Sequence, residues 1–205
     1  LKSREGEVIK LQDLLEEAIR RAEQTIDDKN PDLQGKERND VARAVGIGAV
    51  KYADLSTERT KDYVFDWERM LSFEGNTAPY LQYAYARICS IFRKWEDDRE
   101  SLRANFESLT EEESNPLTKE ELTLSRRLVE FSSILDDSVS TFSPHKLCKH
   151  LHSIASSFAS FYENCSILKE EDDLVAKRRL ALCDLTAREL QLGLGIMGIE
   201  VPERM

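Results

Sequence analysis

Hydrophobic positions recur every three or four residues along most of this chain, the spacing that gathers them on one face of an α-helix. A turn at Glu5 and Gly6 leads into a β-tolerant run, Glu7 to Leu11, the only plausible strand, which merges into a helical pattern from about Leu11 to Asp27. After a polar break from Asp28 to Gly35, Val41, Val45, Gly48, Tyr52 and Leu55 share a helix face whose small residues predict close packing. Residues 56–77 are mixed, with bulk at Tyr63, Val64, Phe65 and Trp67, and end in a Gly-containing loop from Phe73 to Thr77. Thr77 can cap the next helix and Pro79 falls in its first turn, where a missing amide costs nothing, so a helix is predicted from Pro79 to about Trp95.

Three further helices are predicted downstream. Their stripes are Leu124, Leu128, Phe131, Leu135 and Phe142; Leu147, Leu151, Ile154, Phe158, Phe161 and Cys165; and Leu180, Cys183, Ala187, Leu190, Leu194 and Met197. Acidic or polar connectors fall at Thr110 to Lys119, Phe142 to Pro144 and Lys169 to Asp173. No repeat at solenoid periods is present, so helices sharing a core should form an all-α helix bundle. With 205 residues, 8 Gly and 5 Pro, the composition supports one core with a smaller appended subdomain.

Charge narrows the partners. Lys plus Arg total 29 against 39 Asp plus Glu, a net charge of -10, which excludes a histone-like polyanion binder and requires any nucleic-acid contact to be local. Cys89, Cys148, Cys165 and Cys183 each sit among apolar residues, and none forms a CxxC pair, so buried reduced thiols are expected. Without an apolar run near the ~20 residues that cross a bilayer, or a charged-then-apolar leader, a soluble, reducing, cytoplasmic setting is expected. The first residue is Leu1, so the chain reads as a fragment or a processed product.

The Pro79 helix carries two stripes. Leu81, Ala84, Tyr85, Ile88, Ile91, Phe92 and Trp95 gather in an arc roughly 120° wide that should face the core. Tyr80, Tyr83, Arg87, Ser90 and Lys94 fall in a second arc, beside solvent. Tyrosine faces stack on unpaired bases and arginine forks onto phosphate, a combination used by readers of RNA loops. The plainer reading has the two tyrosines covering a neighbouring helix and Arg87 paired with an acid.

Other motifs carry less. Gly46, Ile47 and Gly48 follow no strand and lack the third glycine of a phosphate turn. Cys148, His150, His152 and nearby His145 suggest zinc, yet His150 points away from its neighbours on a helix, so no metal is expected. Acidic runs at Glu111 to Glu113 and Glu170 to Asp173 read as solvated connectors.

Residues 48–94, GAVKYADLSTERTKDYVFDWERMLSFEGNTAPYLQYAYARICSIFRK, resemble the junction at which arginyl-tRNA synthetases pass from the catalytic half into their DALR-type anticodon-binding domain. FYENC at Phe161 to Cys165, LALCDLTARELQLGLGIMGI at Leu180 to Ile199, and the closing PERM resemble the end of the same class I family. The resemblance reaches nearly the whole chain. It implies a helical bundle at residues 75–205 that grips the anticodon stem and loop, behind a remnant of the catalytic half at 1–74. By position, Tyr80, Tyr83, Arg87, Tyr162 and Met205 would meet anticodon-loop nucleotides, and the loop Phe73, Glu74, Gly75, Asn76, Thr77, Ala78 would rearrange when tRNA docks. Leu1 to Arg4 resemble the end of a KMSKS-like loop, in which Lys2 and Arg4 could face ATP phosphates.

The family resemblance implies an ATP- and magnesium-dependent ligase that joins arginine to its tRNA. The HIGH signature and the nucleotide-binding sheet are not among these residues, so this piece should bind no cofactor and catalyse nothing alone. A monomer without membrane contact is expected. The rival expectation is a non-catalytic helical adapter that binds a partner protein through the same exposed aromatics, with little response to salt.

Overall fold

Gly46 sets the closest contact in the first part of the fold. A β-carbon added to it would lie 2.7 Å from the backbone of Ala18 and Ile19. The helix Leu11–Lys29 (α1) therefore rests directly on Gly35–Leu55 (α2). The two run antiparallel: further along, Arg38 forks onto Asp27 at 2.6 and 2.8 Å. Ala22, Ile26, Leu33, Val41, Val45, Met70 and Leu71 bury a first apolar cluster between this pair and the short helix Trp67–Met70 (α3). The glycine pair is thus a packing device, as the small residues on that face implied.

The computed structural model describes residues 10–62, 65–95, 99–104 and 116–205, and among these there is no strand. Lys10 is extended and caps α1, Leu11 is already helical and 67% exposed, and Glu7 to Ile9 lie outside the described residues. Tyr63, Val64, Glu111 to Glu113, Lys2 and Arg4 also lie outside them.

The larger cluster joins Ala78–Lys94 (α4), Arg99–Ala104 (α5), Lys119–Val129 (α6), Phe131–Ser140 (α7), Pro144–Asn164 (α8) and Asp173–Ile196 (α9). α8 lies at its centre, touching α2, α4, α6, α7 and α9. Burying Leu81, Ile88, Leu124, Leu151, Ile154, Phe158, Leu190 and Leu194 supplies the driving force, at about 1.5–3 kcal/mol per side chain. Buried charges are paired: Asp184 takes a two-pronged contact from Arg103 at 2.7 and 2.8 Å, and Glu121 meets Arg178 and Arg179. Thr118 and Glu121 also close a reciprocal cap at the start of α6.

Two expectations fail locally. The stripe from Leu124 to Phe142 predicts one helix, and the structure divides it at Glu130, which ends α6 and precedes α7 while Ile134 N still bonds its carbonyl at 3.1 Å. Phe142 is not core: it is 71% exposed with φ 50°. There the chain closes α7 in a Schellman turn, with Phe142 N bonding Val139 O and Ser143 N bonding Ser138 O.

Candidate nucleic-acid interface

Thr77 begins the site. Its hydroxyl accepts from Tyr80 N at 3.3 Å and donates to Ser72 O at 2.6 Å, so α4 starts at Ala78 with Pro79 in its first turn, as predicted. The inward arc is buried as expected, with Phe92 and Trp95 half-buried against it. On the outward face Tyr83 and Arg87 stand one turn apart. Arg87 Nη2 donates to Tyr83 Oη at 2.9 Å, and the guanidinium carbon lies 4.7 Å from that ring's centre.

Tyr162 comes from the last turn of α8, just off the buried face formed by Phe158 and Phe161. Its ring centre is 5.0 Å from the Arg87 guanidinium carbon. Arg87 is therefore held between two tyrosines that are 38% and 41% exposed. Among the described residues no carboxylate pairs with it, so its charge is positioned without being neutralised. The acid partner of the plainer reading is not there.

Beside this stack runs a groove of about 660 Å³, lined by Asn30, Asp32, Ala86, Ser90, Arg93, Arg204 and Met205 in addition to the two tyrosines and Arg87. Met205 reaches it at the end of an extended strap that leaves α9 after Gly198. Four side chains catch four carbonyls spaced along that strap. Lys51 donates to Gly198 O, Gln82 Nε2 to Glu200 O at 2.7 Å, Arg93 Nη1 to Glu203 O at 3.0 Å, and Asn30 Nδ2 to Met205 O at 2.9 Å. The Met205 side chain then packs on the α1–α2 cluster, so it serves folding as well as the groove.

Tyr83, Arg87, Tyr162 and Met205 are thus brought together. Tyr80 is set apart: it is half-buried, with its ring centre 5.5 Å from that of His152 on α8, and does not line the groove. The loop from Phe73 to Ala78 touches the stack at one end, where Phe73 meets Tyr83 edge-on at 6.0 Å. At the other end Asn76 Oδ1 lies 2.7 Å from the hydroxyl of Tyr52, which also sits 2.9 Å from Cys148 O. Asn30, Gln82, Arg93 and Arg204 were missed in the sequence, because their partners lie on distant segments and leave no local pattern.

All four cysteines are free and buried. Burial pushes the Cys148 thiol up to about 12 and raises Cys89 and Cys183, which makes them poor nucleophiles. Burial likewise lowers the pKa of His150 and His152. Among the described residues no three His, Cys, Asp or Glu side chains come close enough to hold a metal ion, and no helix is long and apolar enough to cross a membrane.

The helical bundle places the chain in a class, the helical anticodon-binding domains. The chain belongs to the DALR anticodon binding domain family, whose model matches residues 81–205, and the model of the class I (R) tRNA synthetase catalytic domain matches residues 1–67. Its relatives include the arginine–tRNA ligases of Proteus mirabilis, 50% identical over 204 residues, and of Salmonella paratyphi B, 48% identical over the same length. Each alignment takes in 100% of this chain and 34% of the relative, so the chain spans about a third of the length of these curated relatives. Among solved structures it is similar to Thermus thermophilus arginyl-tRNA synthetase, with TM-score 0.80 and 31% identity over 97% of this chain and 32% of that one. The arginyl-tRNA synthetase of Plasmodium falciparum also superposes at TM-score 0.80, with 28% identity, over 97% of this chain and 34% of that one.

Proposed function

We propose that this chain is the tRNA-reading end of an arginine–tRNA ligase, and that the Tyr83–Arg87–Tyr162 stack with Met205 receives unpaired nucleotides of the anticodon loop. The observation that carries the reading is the unneutralised Arg87 cation held between two exposed rings. A base that enters the groove can stack on a tyrosine face, at about 1–3 kcal/mol per base, while the guanidinium offers donors to its edge or to phosphate. Tyr80, braced by His152, would steady the first turn of α4 under the stack.

The proposed division of labour puts the junction to the catalytic half in residues 1–74 and anticodon reading in 75–205. The loop 73–78, tied to Tyr52 at Asn76 and to Tyr83 at Phe73, is the proposed moving part when tRNA docks. The whole ligase would use arginine, ATP and magnesium in the cytoplasm, as a monomer, with Lys2 and Arg4 facing ATP phosphates. The chain alone would show no arginine-dependent ATP–pyrophosphate exchange.

The test is a titration of this chain with the anticodon stem-loop of an arginine tRNA, against the same stem-loop with its middle anticodon base changed. Weaker binding of the changed loop is expected. Equal binding of both would remove the anticodon from this reading.

A further inference from the structure

On the far side of Tyr162 lies a second pocket of about 320 Å³, between the last two turns of α4 and the segment that joins α8 to α9. Arg87, Lys94 and Lys169 line it together with the hydroxyl-bearing Ser90 and Ser166, and among the described residues no carboxylate does. In a chain of net charge -10, this is a concentrated positive site. Lys94 and Lys169 are exposed and, among the described residues, neither forms an ion pair or a side-chain hydrogen bond. A lysine in the last turn of α4 has an ordinary role opposite the helix dipole. Lys169 is on no helix, and Arg87 sits in the middle of one, so the dipole accounts for neither.

The wall that carries Ser166 and Lys169 is built from beneath. Arg179, 8% exposed, donates to Ser166 O at 2.6 Å and pairs with Glu170, while its Nε meets the fully buried Glu121 at 3.2 Å. Cys165 Sγ lies 3.4 Å from Thr118 Oγ1. A buried ion network thus fixes the backbone of a short surface segment whose Lys169 side chain has no partner of its own among the described residues. Fixed position and free donors are what an anion-binding wall requires.

We propose that this pocket is a phosphate subsite: a phosphodiester of the RNA backbone next to the base held in the groove sits against Lys94, Lys169 and Arg87, with Tyr162 dividing base from phosphate. The proposal rests on the anticodon-loop reading of the groove and adds what that reading lacks, a grip on the backbone that is indifferent to sequence. Such a contact releases counterions, so it shows in the salt dependence of binding. Each neutralised phosphate contributes roughly 0.7 to the slope of log K against log salt on a single strand.

The experiment measures that slope for this chain and for K94Q/K169Q with the arginine-tRNA anticodon stem-loop, and repeats both with methylphosphonate linkages through the loop. The double variant should lose about 0.7 from the slope, one phosphate's worth, and keep its preference for the correct middle base. On the methylphosphonate loop the two proteins should share one slope. If the unsubstituted chain prefers the correct base while K94Q/K169Q keeps the full slope, the subsite falls and the groove stands. A slope difference that persists on the uncharged loop also overturns the subsite. If the unsubstituted chain shows no base preference, the groove reading fails and takes the subsite with it.

Discussion

Arg87 lies 5.0 Å below the ring of Tyr162, although the two residues are 75 positions apart and sit on different helices. Among the described residues no carboxylate joins their pairing, so removing either side chain should cost the bundle little and the groove much. Arg87→Ala or Tyr162→Ala should weaken stem-loop binding roughly 5- to 150-fold, the span of about 1–3 kcal/mol, with melting nearly unchanged. Arg87→Lys keeps the charge and loses the planar stack, so it should recover only part of the loss. Titration and thermal melts of the three variants check this, and a large drop in melting temperature would make these side chains structural.

Gly46→Ala should separate α1 from α2. The new methyl would meet backbone atoms of Ala18 and Ile19 at 2.7 Å, and backbone cannot rotate away. Overpacking of this kind costs about 1–3 kcal/mol, or roughly 2–12 °C of melting temperature in a chain of this size. Circular dichroism melts report it, and an unchanged midpoint would mean that the helices slide past each other freely.

Phe142→Gly should stabilise the protein. A left-handed φ costs an ordinary side chain about 1–2 kcal/mol, and glycine's extra freedom in the unfolded chain returns about 0.5–1 of that. With Phe142 71% exposed there is little packing to lose. A net gain of about 0.5–1 kcal/mol, or roughly 1–4 °C, is expected in a melt.

Glu189 gives a pH test. Burial pushes its carboxyl from 4.5 up to about 7 against the opposing pull of Arg188, and its Oε2 is buried with no hydrogen-bond partner. A folded-state pKa above the unfolded one means that the native chain holds the proton more tightly. Stability from this group is therefore intact below 4.5, falls as pH rises from 4.5 to about 7, and stays low above that. Glu189→Gln should raise the melting temperature at pH 8 and leave it nearly unchanged at pH 4.

Much of this was legible because helices announce themselves. The arc from Leu81 to Trp95 and the outward pair Tyr83 and Arg87 follow from periodicity and one capped start, and the structure places both as expected. Periodicity says nothing about what lies opposite. It put Tyr80 with Tyr83, and only the position of His152 on α8 pulls that ring aside. The break at Glu130 is invisible for a related reason, since Leu128 and Phe131 keep helical spacing across it. Gln82, Ala86 and Cys89 are buried outside the predicted arc. Gln82 meets α2 and the strap, and no local pattern in α4 encodes either neighbour.

The strap is gripped by its peptide groups, which are the same whatever amino acids carry them. Ile199, Val201 and Met205 add burial to that hold, and between these anchors spacing is the quantity under constraint. One residue inserted between Gly198 and Met205 would carry the thioether about 3.3 Å along the ribbon, out of register with the groove, even if every remaining residue kept its identity.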